Sequence, residues 1–148
     1  MSKSVILDIS QFLPYQLVAL STKVSNDFAQ VYSQEAGLTQ AQWRVLSHVI
    51  NIEFATAKQI CELANMDKST VSRAIKQLEE KQILTLTKHP EDKRATVIAC
   101  TDEGVSLFKQ LTPKAQEWEQ SLLSNFSDSE KSTLKMLIEK LSQSVDKA

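Results

Sequence analysis

The 148-residue chain is long enough for one domain with a hydrophobic core, and its 17 Lys/Arg against 18 Asp/Glu give a net charge of −1. Two glycines and three prolines in the whole sequence favour long helices over a β-rich fold. No apolar run approaches the roughly 18 residues of a membrane span, and two cysteines without a spacing motif fit a reducing cytosol. We therefore expect a cytoplasmic protein that does not associate with membranes.

The first 50 residues predict two helices. The first begins at Leu13 or Pro14, because proline is well placed in a first helical turn, and Gly37 ends it. Thr39 and Gln42 form a capping box that opens the second helix. Apolar residues at helical spacing form one stripe along the first helix, Leu17, Leu20, Val24, Phe28, Val31 and Tyr32. In the second helix they mark the inward side: Trp43, Leu46, Val49 and Ile50.

Residues 56–78 predict a helix-turn-helix. Thr56 with Gln59 is a second capping box, Asn65 tolerates the left-handed conformation that the turn demands, and Asp67 caps the next helix. The inner face of that helix repeats apolar residues at helical spacing: Val71, Ile75 and Leu78. Two helices joined by so short a turn share one small core, which leaves the outer face of the second helix free to enter a DNA major groove.

The outer face of the second helix carries short hydroxyls and cations. Its candidate DNA-binding residues are Lys68, Ser69, Thr70, Ser72, Arg73 and Lys76. Arg73 is the best candidate for a bidentate contact to guanine, and Ser69 and Thr70 suit phosphate contacts near the helix N-terminus. The competing interpretation is an ordinary solvated face, since short helical hairpins without DNA affinity are common.

A basic hairpin is predicted after the helix-turn-helix. In residues 83–89 apolar and polar side chains alternate, and residues 96–100 are rich in β-prone side chains. The polar turn 90–95 joins the two predicted strands. Lys93 and Arg94 at the tip can enter a minor groove, and Asp92 is expected to orient Arg94 or the loop backbone. These features predict the wing of a winged helix, with a solubilising turn as the alternative.

Two more helices follow the hairpin. One runs from Thr101 to about Asn125, with Pro113 as a kink or weak point, and Ser127 with Glu130 opens the last. The apolar stripes of the terminal helices exceed what a small winged-helix core can bury. We expect a second copy of the chain to cover them, with an intramolecular bundle as the alternative.

Charge is distributed unevenly between the segment predicted to bind DNA, residues 56–101, and the rest of the chain. Residues 56–101 hold eight Lys/Arg and six Asp/Glu, a net of +2, whereas the remaining residues hold nine and twelve, a net of −3. The asymmetry is modest, but it places the cations on the segment that is predicted to approach DNA.

Four segments together resemble the MarR family of bacterial transcriptional regulators: residues 38–46 (Leu-Thr-Gln-Ala-Gln-Trp-Arg-Val-Leu), 67–73 (Asp-Lys-Ser-Thr-Val-Ser-Arg), 90–94 (Pro-Glu-Asp-Lys-Arg) and 100–104 (Cys-Thr-Asp-Glu-Gly). The resemblance implies a mainly α fold with a two-stranded wing. It matches Asp92 and Arg94 to the family's wing pair, and it matches five residues to the family's recognition-helix contacts: Ser69, Thr70, Ser72, Arg73 and Lys76. Gln82 departs from the family, which usually has glycine there, so either Gln82 carries left-handed strain or the helix ends differently.

The resemblance also implies an organisation and a function. One MarR-type domain covers 1–148, with a DNA-binding lobe at 38–101 and a helical dimerisation lobe formed by 8–36 and 102–148. We expect a homodimeric repressor that binds a pseudo-palindromic operator of double-stranded DNA through recognition helix 68–81 and wing 88–97. A small aromatic or phenolic effector is expected to release it. The alternative is a winged-helix protein-interaction module without DNA affinity.

Other chemistry finds little support in the sequence. His48 and His89 are the only histidines, and no nucleophile motif, phosphate loop or paired carboxylates occur, so we expect no enzyme activity. Cys61 and Cys100 show no ligand spacing with the histidines, so we expect no metal and no cofactor. Oxidant sensing by either cysteine stays open, although buried thiols react poorly.

Overall fold

The computed structural model describes residues 5–147. Within that range the elements follow the order α1 (Leu13–Ala36), α2 (Gln40–Val49), α3 (Ala57–Ala64), α4 (Lys68–Glu80), β1 (Leu84–Lys88), β2 (Thr96–Cys100), α5 (Asp102–Leu122) and α6 (Asp128–Asp146), with a 3-10 turn at Ile9–Gln11 before α1. This confirms the predicted mainly helical fold with a helix-turn-helix, a two-stranded wing and long terminal helices. The chain divides into two compact units, one up to Pro113 and one from Lys114 onward.

Local capping sets the helix boundaries. In each predicted capping box, the hydroxyl accepts the backbone N–H three residues on, and the Gln or Glu side chain accepts the N–H of the cap residue. All three boxes are confirmed: Thr39 with Gln42, Thr56 with Gln59 and Ser127 with Glu130. Gly37 ends α1 in the left-handed conformation, with φ at 62°.

Two residues other than glycine adopt positive φ in the described chain: Asn65, as predicted, and Gln82, for which left-handed strain was one of two alternatives. Asn65, at φ 51°, ends α3 and starts the turn of the helix-turn-helix. Gln82, at φ 62°, turns the chain from α4 into β1, and the N–H of Ile83 donates to the carbonyl of Leu78 at 2.9 Å. The left-handed strain is therefore the alternative that the backbone shows at Gln82.

The wing is an antiparallel pair in which Leu84 lies opposite Cys100 and Lys88 opposite Thr96. The first strand is one residue shorter at each end than the predicted 83–89. Ile83 lies just before the strand, and its carbonyl accepts the backbone N–H of Thr101 at 3.0 Å and the Thr101 hydroxyl at 3.1 Å. That contact ties the start of the wing to the start of α5.

Gly104 makes the junction of wing and α5 possible. A Cβ at this position would lie 2.3 Å from the Ile83 carbonyl oxygen, a distance that backbone atoms cannot tolerate. The Thr101 hydroxyl accepts the N–H of Gly104 at 3.0 Å and so caps the first turn of α5. The helix ends at Leu122, three residues before the expected end near Asn125, and Pro113 lies inside it.

The core of the first unit lies between α2, α3, α4 and the wing. Its most deeply buried side chains belong to these elements and to the end of α1: Tyr32, Val45, Leu46, Ile60, Val71, Leu78, Leu84 and Ile98. Ile98 extends the sheet, because its backbone N–H donates to the carbonyl of Ala55 at 2.8 Å. This bridge fastens the second wing strand to the loop that precedes α3.

Aromatic rings fill the space where α1, α2 and the first half of α5 meet. The ring of Trp43 stacks on Tyr32 and on Phe108, with centroid distances of 5.2 and 5.4 Å. Phe28 meets both Tyr32 and Trp43 edge to face. Burial raises the pKa of the Tyr32 hydroxyl, and Arg44 partly offsets that rise.

The terminal helices expose apolar side chains. In the first unit these include Leu13, Tyr15, Leu17, Val18 and Leu20 of α1. In the second unit every side chain of α6 keeps some solvent exposure, and Met136, Leu137 and Ile138 are more than half exposed. Among the residues that the structure describes, no helix combines the length and apolar character needed to cross a membrane.

Candidate nucleic-acid interface

The N-terminus of α4 is organised by Asp67. Its Oδ2 accepts the Thr70 backbone N–H at 3.2 Å and the Ser69 hydroxyl at 2.7 Å, which confirms the predicted cap. Hydrogen bonds from Thr70 and Ser69 lower the pKa of Asp67 to about 2. The cap is therefore ionised at any physiological pH. Because the Ser69 hydroxyl already donates to Asp67, Ser69 must exchange that bond to donate to a phosphate.

The candidate DNA-binding residues of α4 lie on its solvent side. Lys68, Ser69, Ser72, Arg73 and Lys76 are exposed, and Thr70 is half-buried. Positions 72 and 73 lie three and four residues after 69, and 76 lies four and three residues after them, so these side chains share one face of the helix. The structure therefore brings the hydroxyls and cations of the predicted face together. The opposite face is buried through Val71, Ala74, Ile75 and Leu78.

Arg73 is held only loosely in the free protein. Its Nη2 lies 3.5 Å from the Thr70 hydroxyl oxygen, at the limit of a hydrogen bond. A guanidinium that extends from an exposed helix face keeps most of its donors available. It has the reach and the geometry for two parallel hydrogen bonds to the O6 and N7 of guanine.

A polar junction, which sequence reasoning missed, anchors the C-terminal half of α4. The Gln42 side chain is buried at 4% exposure, and its Nε2 donates to Gln77 Oε1 at 2.9 Å. The Nζ of Lys81 lies 3.4 Å from Gln42 Oε1 and 3.3 Å from the carbonyl of Gly37. These bonds connect the recognition helix to the turn between α1 and α2. The sequence had assigned Gln42 only its capping role.

The wing tip is shaped by backbone contacts of its own residues. Asp92 Oδ1 accepts the backbone N–H of Arg94 at 3.0 Å, and the carbonyl of Asp92 accepts the N–H of Ala95 at 3.0 Å. Of the two roles expected for Asp92, orienting the loop backbone is the one that the structure shows. Lys93 and Arg94 are both exposed at the tip. His89, which sequence reasoning had placed only at a strand end, also contacts this turn through its ring.

The cysteines and the acidic residues offer little further chemistry. Cys61 and Cys100 are both free and partly buried, and burial raises the pKa of the Cys100 thiol to about 11. A thiol with a raised pKa carries little of the reactive thiolate at neutral pH. In the described part of the chain, no cluster of three or more His, Cys, Asp or Glu could hold a metal ion.

Comparison with known proteins identifies this arrangement. A model of the MarR family matches residues 36–95, which span α2 to the wing tip. The HTH-type transcriptional regulator YwoH of Bacillus subtilis is 34% identical over 95 residues, or 64% of this chain and 69% of YwoH. A MarR/EmrR family regulator from Acinetobacter sp. ADP1 is 31% identical, with a TM-score of 0.83 over 96% of this chain and 100% of that one.

The chain belongs to the MarR family. As a MarR-family protein it is a DNA-binding transcriptional regulator, and the family consists of transcription factors rather than enzymes. Nothing in these comparisons favours the alternative of an interaction module without DNA affinity. A more distant structure shares the fold: BpsR of Bordetella bronchiseptica, 22% identical, with a TM-score of 0.79 over 93% of this chain and 98% of that one. Its structure is described with a mechanism for regulation of its DNA binding by 6-hydroxynicotinic acid.

Proposed function

We propose that this MarR-family regulator is a homodimeric, ligand-responsive repressor that reads a pseudo-palindromic operator. In this proposal the recognition helix 68–81 enters the major groove and the wing 88–97 enters the adjacent minor groove. The lobe 38–101 binds DNA, and the segments 8–36 and 102–148 form the dimer. The observation that carries the proposal is the shared solvent face of α4, on which hydroxyls and cations lie above a fully buried inner face.

Each proposed DNA contact follows from the position of its side chain. Arg73 hydrogen-bonds a guanine edge, and Ser72 and Lys76 lie on the same face within reach of bases and phosphates. Lys68, Ser69 and Thr70 contact phosphate near the helix N-terminus, where free N–H groups favour an anion. At the wing, Lys93 and Arg94 supply the cations, and Asp92 fixes the backbone that presents Arg94.

The exposed apolar side chains support the dimer. Leu13, Leu17 and Leu20 in the first unit and Leu137 and Ile138 in the second are each at least 44% exposed. Large apolar surface of this kind on a water-exposed helix marks an association site. A two-fold dimer covers such faces with identical faces from a second copy. Sedimentation at micromolar concentration tests this step, and a monomer would contradict it.

An aromatic effector is supported by the ring cluster and by a relative. Trp43 and Phe108 stack in parallel and are only partly buried, so a planar ligand that binds beside this cluster contacts the parts of the two rings that stay exposed. BpsR, which shares the fold, has DNA binding regulated by 6-hydroxynicotinic acid, a hydroxylated aromatic acid. Such a ligand releases DNA only if it binds more tightly to a form of the dimer in which the spacing of the two DNA-binding lobes does not match the two half-sites.

Tryptophan fluorescence tests the effector site. The chain has two tryptophans, Trp43 and Trp118, so each reports on a different part of the molecule. Hydroxylated aromatic acids should quench the parent and Trp118→Phe proteins but leave Trp43→Phe unchanged. Quenching that survives in Trp43→Phe and disappears in Trp118→Phe would place the ligand elsewhere.

The DNA-binding proposal is tested by selection of bound fragments from genomic DNA. The expected result is an enriched inverted repeat with half-sites about one helical turn apart, roughly 10 base pairs centre to centre. Adding the quenching ligand should reduce the enrichment. An enriched motif with a single half-site would contradict the paired-groove proposal, and no enrichment would contradict sequence-specific recognition.

A further inference from the structure

His89 lies at the base of the wing turn, directly after β1. Its Nδ1 accepts the backbone N–H of Glu91 at 3.1 Å and that of Asp92 at 3.3 Å. Its own backbone N–H donates to the carbonyl of Ala95 at 2.9 Å, across the turn. The half-buried imidazole therefore bonds to the backbone of the loop whose tip presents Lys93 and Arg94.

The ring is also supported from outside the wing. Phe54, in the loop before α3, contacts it with a centroid distance of 5.4 Å and an interplanar angle of 52°. The next residue of that loop, Ala55, pairs with Ile98 of β2. The same loop therefore contacts both the ring of His89 and the second strand of the wing.

These contacts require a neutral imidazole. A nitrogen that accepts hydrogen bonds carries no proton, so the proton of the ring is on Nε2. Protonation of Nδ1 would turn it into a third donor that faces two N–H groups. Both bonds to the turn would therefore be lost together.

We propose that His89 is a positioning residue for DNA binding: its neutral Nδ1 holds the turn that aims Lys93 and Arg94, and protonation releases that turn. The inference rests on the proposal that the wing tip contacts DNA. Protonation of His89 would make the affinity of the wing for DNA depend on pH, although His89 itself needs no contact with DNA.

Protonation of His89 would also affect DNA affinity through its charge, in the direction opposite to the loss of the turn. The wing segment around it carries Lys88, Glu91, Asp92, Lys93 and Arg94, and Glu53 precedes Phe54 in the loop that contacts the ring. A protonated His89 would add a cation beside DNA phosphates and strengthen binding. Loss of the turn weakens binding instead. The sign of the pH dependence therefore distinguishes positioning from simple charge.

Two amide substitutions distinguish the role of Nδ1 from that of Nε2. His89→Asn places its amide oxygen near the position of Nδ1, whereas His89→Gln extends one bond further and places it near Nε2. At pH about 8 we expect His89→Asn to bind a selected DNA fragment like the parent protein. Since an acceptor of backbone N–H groups is lost, His89→Gln should bind roughly three- to tenfold more weakly.

The pH profile uses the same variants. Lowering the pH from about 8 to about 5.5, the interval in which histidine ordinarily changes charge, should weaken binding by the parent protein. His89→Asn should show a flatter profile, because it keeps the acceptor and cannot be protonated. His48, the other histidine of the chain, is present in every variant and contributes equally to each profile.

Coupling to Arg94 gives a readout that general destabilisation would not produce. Arg94→Ala should weaken binding by the parent and by His89→Asn, but should add little in the His89→Gln background, where Arg94 is no longer aimed. Equal losses for the two His89 variants would overturn the inference. Additive effects of Arg94→Ala and His89→Gln, or tighter binding by the parent at low pH, would also overturn it.

A measurement without DNA keeps this inference separate from the proposed function. The amide hydrogens of Glu91 and Asp92 should exchange slowly in the parent and in His89→Asn and faster in His89→Gln. If this pattern appears but Lys93→Ala and Arg94→Ala leave DNA affinity unchanged, the proposed wing contact fails and the shaping of the turn by His89 stands. If exchange is alike in both variants, the role of His89 fails whatever the DNA affinity.

Discussion

The recognition helix and the wing tip present similar cations to solvent, but they are held in place by different contacts. The helix α4 buries one whole face, and its Gln77 and Lys81 bond to residues 35–44 positions earlier in the chain. The wing tip is held mainly by bonds between residues two to six positions apart, such as those of His89 and Asp92. The position of α4 is therefore a property of the whole core, whereas the shape of the tip is a local property.

Core truncation should give the largest difference between the two regions. Leu78 is fully buried under α4, so Leu78→Ala should lower the free energy of unfolding by about 2–5 kcal/mol. Leu86 of β1 is 37% exposed, so the matched Leu86→Ala should cost less than about 1 kcal/mol. Urea unfolding followed by circular dichroism measures both. Equal losses would show that the wing is as dependent on the core as α4 is.

The polar junction under α4 should give the next largest effect. Gln77→Leu removes the acceptor of the buried Gln42 amide, which should lower the free energy of unfolding by about 1–3 kcal/mol. The double variant with Gln42→Leu removes both partners. It should lose less than the sum of the two single variants, because no buried amide is left without its partner. Additive losses would mean that the Gln42–Gln77 bond does not anchor the helix.

A substitution at Gln82, which joins α4 to the wing, should increase stability. Gln82 is held at φ 62°, a conformation that glycine adopts without steric cost. Gln82→Gly should therefore raise the free energy of unfolding by about 0.5–1 kcal/mol, and Gln82→Ala should not. A gain in both variants would locate the benefit in the lost side chain rather than in the backbone.

The smallest expected effect concerns the cap of α4. The folded pKa of Asp67 is about 2 and its usual value is 3.8, so the charged cap stabilises the folded state fully above pH 4. That contribution is lost as the pH falls from 4 towards 2. In urea unfolding across this interval, the parent should lose more stability than Asp67→Asn. Parallel profiles would show that the cap does not depend on the charge.

Much of the fold could be predicted because its signals are local. A capping box, a glycine after a helix and an asparagine in a tight turn each lie within a few residues of the structure that they determine, and all were confirmed. Gln82 was singled out differently, because the resemblance has glycine at its position, and of the two alternatives left open there the structure shows the left-handed one.

The contacts that sequence reasoning missed join distant parts of the chain. Gln42 and Gln77 meet only because α2 and α4 cross at one particular turn, and helical spacing does not say which turn that is. Gly104 is required by a carbonyl 21 positions earlier, and no local rule identifies that neighbour. The role of His89 is local, but it depends on a tautomer and a ring orientation that residue type alone does not give.

In the proposed function, α4 specifies the DNA sequence, whereas the wing adds affinity with little discrimination between sequences. The most direct test compares the dissociation constants of the parent, Arg73→Ala and Arg94→Ala for a selected fragment and for unrelated DNA at one salt concentration. Arg73→Ala should cost about 1–3 kcal/mol on the selected fragment and little on unrelated DNA, whereas Arg94→Ala should weaken both by similar factors. If Arg73→Ala left the preference for the selected fragment unchanged, or Arg94→Ala alone removed it, the account would be contradicted.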